Sequence, residues 1–237
     1  MASTEISLAI RNLMFFEQLN EVEQRAVLSV CSNETWLKGR SAPAQSIDKT
    51  IYFIVSGHIK SVRINAETGR SVTLFLFGPG DMFDLLQLLH GASDETVFEA
   101  YSDVSLLAVP HSEVCTWFAR YPEFNRAILP YLGKMVVHLE DLATDLALHD
   151  TETRLAHLIL QHLEEDMHNG IHLINDMNHE NLAQMIGSVR TVVNRQLQHW
   201  RQAGIIATDN GRITVKKLGM LLKKAENHVP WTNHHNQ

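Results

Sequence analysis

Arg190, Thr191, Asn194, Arg195 and Gln198 fall within nine residues, at spacings that share one face of a helix. An arginine can hold the O6/N7 edge of guanine through two hydrogen bonds. An asparagine or glutamine can hold adenine in the same way, each good pair adding about 1–3 kcal/mol of discrimination. Thr191 suits a thymine methyl or a phosphate, and Ser188, just upstream, joins the candidate set. Val192, Val193, Leu197 and Trp200 take the remaining positions, so this helix has a base-reading face and an apolar one.

Such a face works only if the helix is presented to a groove. Residues 178–186 are expected to form a first helix, with Asn178 capping its free amides and Leu182, Met185 and Ile186 burying one side. Gly187 permits a sharp turn, and 189–203 form the second helix. Ile205–Thr208 and Arg212–Val215 read as strands joined through Asp209-Asn210-Gly211, a strong hairpin signal because Asn and Gly tolerate positive φ. A helix-turn-helix followed by such a wing is a winged helix. The blander alternative is two packed helices beside a hairpin, with a merely solvated charged face. Against it stand eight cations and one anion, Asp209, between Val189 and Lys224, in a chain whose net charge is −7. Residues 1–149 carry that whole deficit, so an acidic body ends in a basic stripe.

Upstream, Leu8, Leu13, Phe16, Leu19, Val22, Ala26 and Val30 have helical spacing, which predicts a helix over 8–31. From residue 50 the period shortens. The segments 50–64 (with a turn at Gly57), 71–77 and two strands within 96–109 predict an antiparallel β-roll. Ile128, Leu132, Met135, Leu139, Leu142 and Leu146 then form a narrow stripe on a long helix. It reads as a dimer seam, or alternatively as a core face packed on its own domain. Pro130 should kink that helix or delay its start. A break at His149-Asp150-Thr151 precedes a further helix from Glu152 to Met167 and a short strand at Ile171–Ile174, with Gly170 between them.

The fold class is therefore α+β: a sensor roll with flanking helices (1–121), a dimerisation helix (122–149) and a winged helix-turn-helix (150–237). No run of about 18 apolar residues predicts a membrane span. No secretory signal is read at the N-terminus, so a cytoplasmic location is expected. Cys31 and Cys115 cannot make a disulfide framework or thiolate cluster.

Four segments carry a resemblance to the superfamily of the cyclic AMP receptor protein and the fumarate-nitrate regulator: TIYFIVSGHIKSVRI (50–64), GPGDMF (78–83), HDTETRLAHLIL (149–160) and NLAQMIGSVRTVVNRQL (181–197). The resemblance spans about residues 10–218. It implies a homodimeric regulator, allosteric through its sensor roll, on a palindromic double-stranded operator with half-sites about one helical turn apart. It assigns base reading to Arg190, Thr191, Asn194 and Arg195, and contact with RNA polymerase if the regulator is an activator. Thr191 stands where many relatives place Glu, so the usual half-site is not carried over.

The sensor pocket departs from the cyclic-nucleotide pattern. An ungapped match puts Asp84 and Leu85 at the relatives' Gly-Glu positions, and Glu95 and Thr96 at the Arg-Ser pair that holds the ligand phosphate. Leu139 and Glu140 stand at the base-reading pair. A carboxylate in place of the phosphate's arginine argues against cyclic AMP. An iron–sulfur cluster needs four cysteines, and two are present. GPGDMF is similar to the turn of the carbon-monoxide-sensing haem regulator, whose Cys and His ligands are replaced here by Asp84 and Leu86. Haem therefore stays open only through other histidines, chiefly His90, His138 and His149. Phe83, Asp84, Leu85, Leu86, Glu95, Thr96, Met135 and Leu139 are the candidate effector pocket, and a ligand-independent regulator is the alternative. A cupin-like enzyme would need clustered His and Glu on adjacent strands, and His58 stands alone on its segment.

Overall fold

A computed structural model describes residues 15–16, 19–43, 49–90, 96–169, 178–209 and 212–226. It divides the chain into two compact units, 1–139 and 140–237. The expected strand at 171–174 with Gly170 before it, the turn residues Asn210 and Gly211, Glu95, and the first turns of the expected N-terminal helix lie outside the described residues.

The first described helix, α1 (Glu21–Ser29), is shorter than its apolar spacing predicts. Asn20 starts it: its side chain accepts from the Val22 and Glu23 amides, and Glu23 reaches back to the Asn20 N–H. This capping box stops the helix from extending back to Leu19. Phe15 and Phe16 lie instead in a turn, buried against Phe53, Trp117 and Phe124.

The roll consists of two antiparallel four-stranded sheets. One runs in the order β1 (Ser32–Trp36), β8 (Val104–Pro110), β3 (Thr50–Ser56), β6 (Met82–Phe83); the other runs β2 (Ser41–Pro43), β7 (Thr96–Ala100), β4 (Ile59–Ile64), β5 (Ser71–Phe77). Gly57, at φ +81, makes the β3–β4 turn, and a Cβ there would lie 2.2 Å from the Asp103 carbonyl oxygen. Between the sheets lie Trp36, Tyr52, Ile54, Phe77, Phe83 and Phe98, with Tyr52 and Phe83 stacked at 4.9 Å. The short helix α2 (Leu85–His90) follows β6, and α3 (His111–Arg120) follows β8.

The long helix α4 spans Pro122–Leu148 and continues through Pro130 rather than starting after it. Its first half is bound into the roll by buried Phe124, Ile128 and Tyr131. Tyr131 donates its hydroxyl to the Met82 carbonyl at 2.8 Å and accepts from the Met82 amide at 3.3 Å.

In the second unit, α5 (Thr151–Asn169) begins where Asp150 accepts from the Thr153 amide at 2.8 Å. It is followed by α6 (His179–Met185), α7 (Arg190–Gln202), the hairpin β9 (Ile206–Asp209) and β10 (Arg212–Val215), and α8 (Leu218–Ala225). In that hairpin Asp209 stands opposite Arg212. Leu155, Ala156, Leu182, Ala183, Val193, Trp200 and Leu221 are each fully buried.

Candidate nucleic-acid interface and effector cavity

Helices α6 and α7 are set against each other by a turn whose conformation needs glycine. Gly187 holds φ +59, and the Ser188 amide closes the turn onto the Ala183 carbonyl at 2.8 Å. Asn178 caps α6 by accepting from the Asn181 amide at 2.8 Å. At the start of α7 the N-cap is Val189, extended and with no side-chain cap, so no side chain of its own occupies the amides of the first turn.

Every third or fourth residue of α7 is then drawn inward: Val193, Leu197 and Trp200 are buried, the last with its indole N–H donated to Glu152 Oε1 at 3.0 Å. Arg190, Thr191, Arg195 and Gln198 are consequently exposed on the opposite face, with Asn194 and Ser188 half-buried beside them. All six candidate readers thus share one surface, with exposed Arg201 farther along the same helix. Asn194 is already engaged, because His179 Nδ1 is hydrogen-bonded to its side-chain oxygen. That contact restricts the orientation of the amide, whose NH₂ stays free to donate and whose oxygen keeps a second lone pair. His179 lies fifteen residues upstream, and only the crossing of α6 and α7 brings the two together.

In the first unit, a cavity with about 570 Å³ of empty space, its mouth included, opens between β4, β5, β7, the β6–α2 turn and α4. Of the expected pocket residues, Phe83, Asp84, Leu85, Leu86, Thr96 and Met135 line it. Leu139 packs on the adjoining core, and Glu95 lies outside the described residues. The sequence reading missed Ser61, Arg63 and Phe98. Strand register supplies them, since β4 sets Arg63 opposite Thr96 and Ser61 opposite Phe98. Asp84 is buried with φ +72, a left-handed conformation that glycine adopts freely and that Asp tolerates better than most other residues.

Just before it, Asp81 accepts from the Gly78 amide at 2.8 Å, and burial raises its carboxyl above the usual range. None of the three candidate haem histidines lines the cavity. His90 is exposed on α2, and His138 donates Nε2–H to the Leu74 carbonyl at 2.8 Å while lying against Phe75. His149 belongs to the second unit, where its Nδ1 meets Asp145. The residues described around the cavity therefore do not fit a histidine-ligated haem.

Known proteins match this arrangement along the chain. The family model described as the cyclic nucleotide-binding domain matches residues 44–121, and that of the Crp-like helix-turn-helix domain matches 153–224. The global nitrogen regulator of Nostoc sp. is 28% identical over 172 residues, covering 70% of this chain and 77% of that protein. The CRP-like cAMP-activated global transcriptional regulator of Mycobacterium tuberculosis is 24% identical over 178 residues, with coverages of 74% and 79%. Among solved structures, a CooA variant from Carboxydothermus hydrogenoformans superposes with a TM-score of 0.71 at 21% identity, over 90% of this chain and 96% of that one. No helix among the described residues is long and apolar enough to cross a membrane.

Proposed function

The chain belongs to the CRP/FNR superfamily of transcriptional regulators, and from that premise we propose that it acts as a cytoplasmic homodimer that reads each half of a palindromic operator with the exposed face of α7. That face carries the proposal: Arg190, Thr191, Arg195 and Gln198 stand together on it, opposite the buried Val193, Leu197 and Trp200. The arginines take guanine edges, Asn194 donates its amide, Thr191 meets a methyl or a phosphate, and Ser188 with the first-turn amides meets a phosphate. Two such helices related by a twofold axis need half-sites about one helical turn apart.

Arg195→Ala is expected to abolish selection of the preferred operator from a random DNA pool while leaving the fold intact. Selection of the same operator by that variant would show that α7 does not read the bases.

The regulating signal is an organic effector in the cavity of the roll. Phe75, Phe77, Phe83 and Phe98 offer an apolar floor, and Ser61, Arg63 and Thr96 offer a polar edge. The buried carboxyl of Asp84 on that wall disfavours the phosphate of a cyclic nucleotide. Phe98→Trp, which fills the cavity, should make operator binding insensitive to the effector. A ligand-independent regulator would show no such sensitivity before the substitution.

A further inference from the structure

Three metal-competent side chains converge where the long helix ends, all within the 140–237 unit. Asp145 lies in the last turn of α4, His149 just beyond it, and His157 on α5. Asp145 Oδ1 stands 2.7 Å from His149 Nδ1 and 3.0 Å from His157 Nδ1. The His149 side chain is 5% exposed and that of His157 23%. The two rings meet edge to face, 5.0 Å apart and 78° between planes, with both Nδ1 atoms turned to the same oxygen.

The orientation of His157 is fixed from its far side. Its Nε2 faces the Ala225 carbonyl at 3.2 Å, and a carbonyl only accepts, so Nε2 carries the hydrogen. Nδ1 then meets the Asp145 oxygen either as an N–H that donates to it or, in the neutral ring, with its lone pair. In the neutral ring, two acceptors at that distance repel unless a positive charge lies between them. A histidine that gives one N–H to a backbone carbonyl and turns its other nitrogen inward has the arrangement typical of metal-bound histidines.

We propose that Asp145, His149 and His157 form a three-ligand site for a divalent transition cation of the zinc class, tying the last turn of α4 to α5. Two imidazole nitrogens with one carboxylate oxygen suit zinc and its neighbours rather than magnesium or calcium. Bonds of about 2.0–2.2 Å in a tetrahedral shell separate ligand atoms by about 3.4 Å. The 2.7 and 3.0 Å N···O gaps therefore widen by about 0.7 and 0.4 Å, which side-chain rotation supplies. Three protein ligands leave one position for water. The Arg154 guanidinium also faces Asp145, so the cation displaces part of that attraction.

The test uses the full-length protein stripped of metal and titrated with zinc against a chromophoric chelator. One tight equivalent per chain is expected, with a rise in melting temperature on loading and an X-ray absorption spectrum showing two imidazoles in an all N/O shell. Asp145→Asn and His157→Gln should each weaken binding by tenfold or more. Replacing the tail residues His234 and His235 with Gln should leave that equivalent in place. Absence of a stoichiometric zinc equivalent in the unaltered protein would overturn the proposal, and that measurement does not depend on how the variants fold. Equal zinc affinity in the Asp145 and His157 variants, or an absorption spectrum without two imidazoles, would overturn it as well.

Discussion

Glu152 holds three helices of the DNA-binding unit at one point. Its Oε1 accepts from the Trp200 indole at 3.0 Å and from Lys224 Nζ at 2.9 Å, joining α5 to α7 and α8. Burial pushes its carboxyl up, but the two hydrogen bonds outweigh burial and leave it below the usual glutamate range. A carboxyl lowered on folding adds stability that is complete above its unfolded value of about 4.3 and is lost as pH falls through the folded one. The urea midpoint of the unaltered protein should therefore fall on acidification below that range. In Glu152→Gln, which keeps an acceptor for Trp200 but has no charge to lose, the fall should be shallower. Parallel pH profiles for the two proteins would refute this role. Gly187 gives a second expectation at this scale. At φ +59 an alanine costs about 1–2 kcal/mol. Its Cβ would also come within 2.5 Å of Leu146 Cδ2, a side chain that can swing aside. Gly187→Ala should lower unfolding stability by about that amount, and a denaturation midpoint equal to that of the unaltered protein would contradict the left-handed turn.

For α4 periodicity leaves two readings, a dimer seam and a core face, and burial distinguishes residues along the stripe. Ile128 is buried in the core of the roll, and Leu132, Met135 and Leu139 are half-buried against it, so part of the expected seam is covered within the chain and part is left open. Leu129, Val136 and Val137 are instead exposed, at 68%, 55% and 55%. Leu129→Asp with Val136→Asp should give folded monomers in sedimentation, with a melting temperature that no longer rises with protein concentration. Leu139→Asp should destabilise the roll first, because it places a charge against an apolar core. Retained dimers in the double variant would move the interface off this face. The stripe was legible because its spacing is regular, but spacing alone does not say what covers it, and α4 has apolar residues on two faces. The hairpin and α7 were legible within about a residue, because Gly187 and the alternation of cations with apolar residues mark their limits. The end of the first helix was also written in the chain, in Asn20 and Glu23, but the run of apolar spacings across them masked it. The contacts of His179 with Asn194 and of Arg63 with the cavity depend on helix crossing and strand register, which one-dimensional spacing does not encode.

Over the whole molecule, charge separates what positions the protein on DNA from what specifies the sequence. The chain is acidic at −7, yet eight of its cations lie between Val189 and Lys224 against one anion. An acidic body repels DNA, so association is steered toward the basic end. Cations that meet phosphates release counterions, and each lost phosphate contact lowers the slope of log K against log salt by about 0.9. Lys216, exposed at the end of β10, is proposed as such a cation. In a dimer, Lys216→Gln removes two contacts and should reduce the slope by about 2, weakening operator and unrelated DNA by the same factor. Arg195→Ala should behave differently: operator affinity collapses toward the non-specific level, while the affinity for unrelated DNA changes far less. Measuring both variants on both DNAs across a salt series separates the two roles. If Lys216→Gln altered operator preference while leaving the slope unchanged, its side chain would be reading bases, and the division between a reading helix and a positioning wing would be wrong.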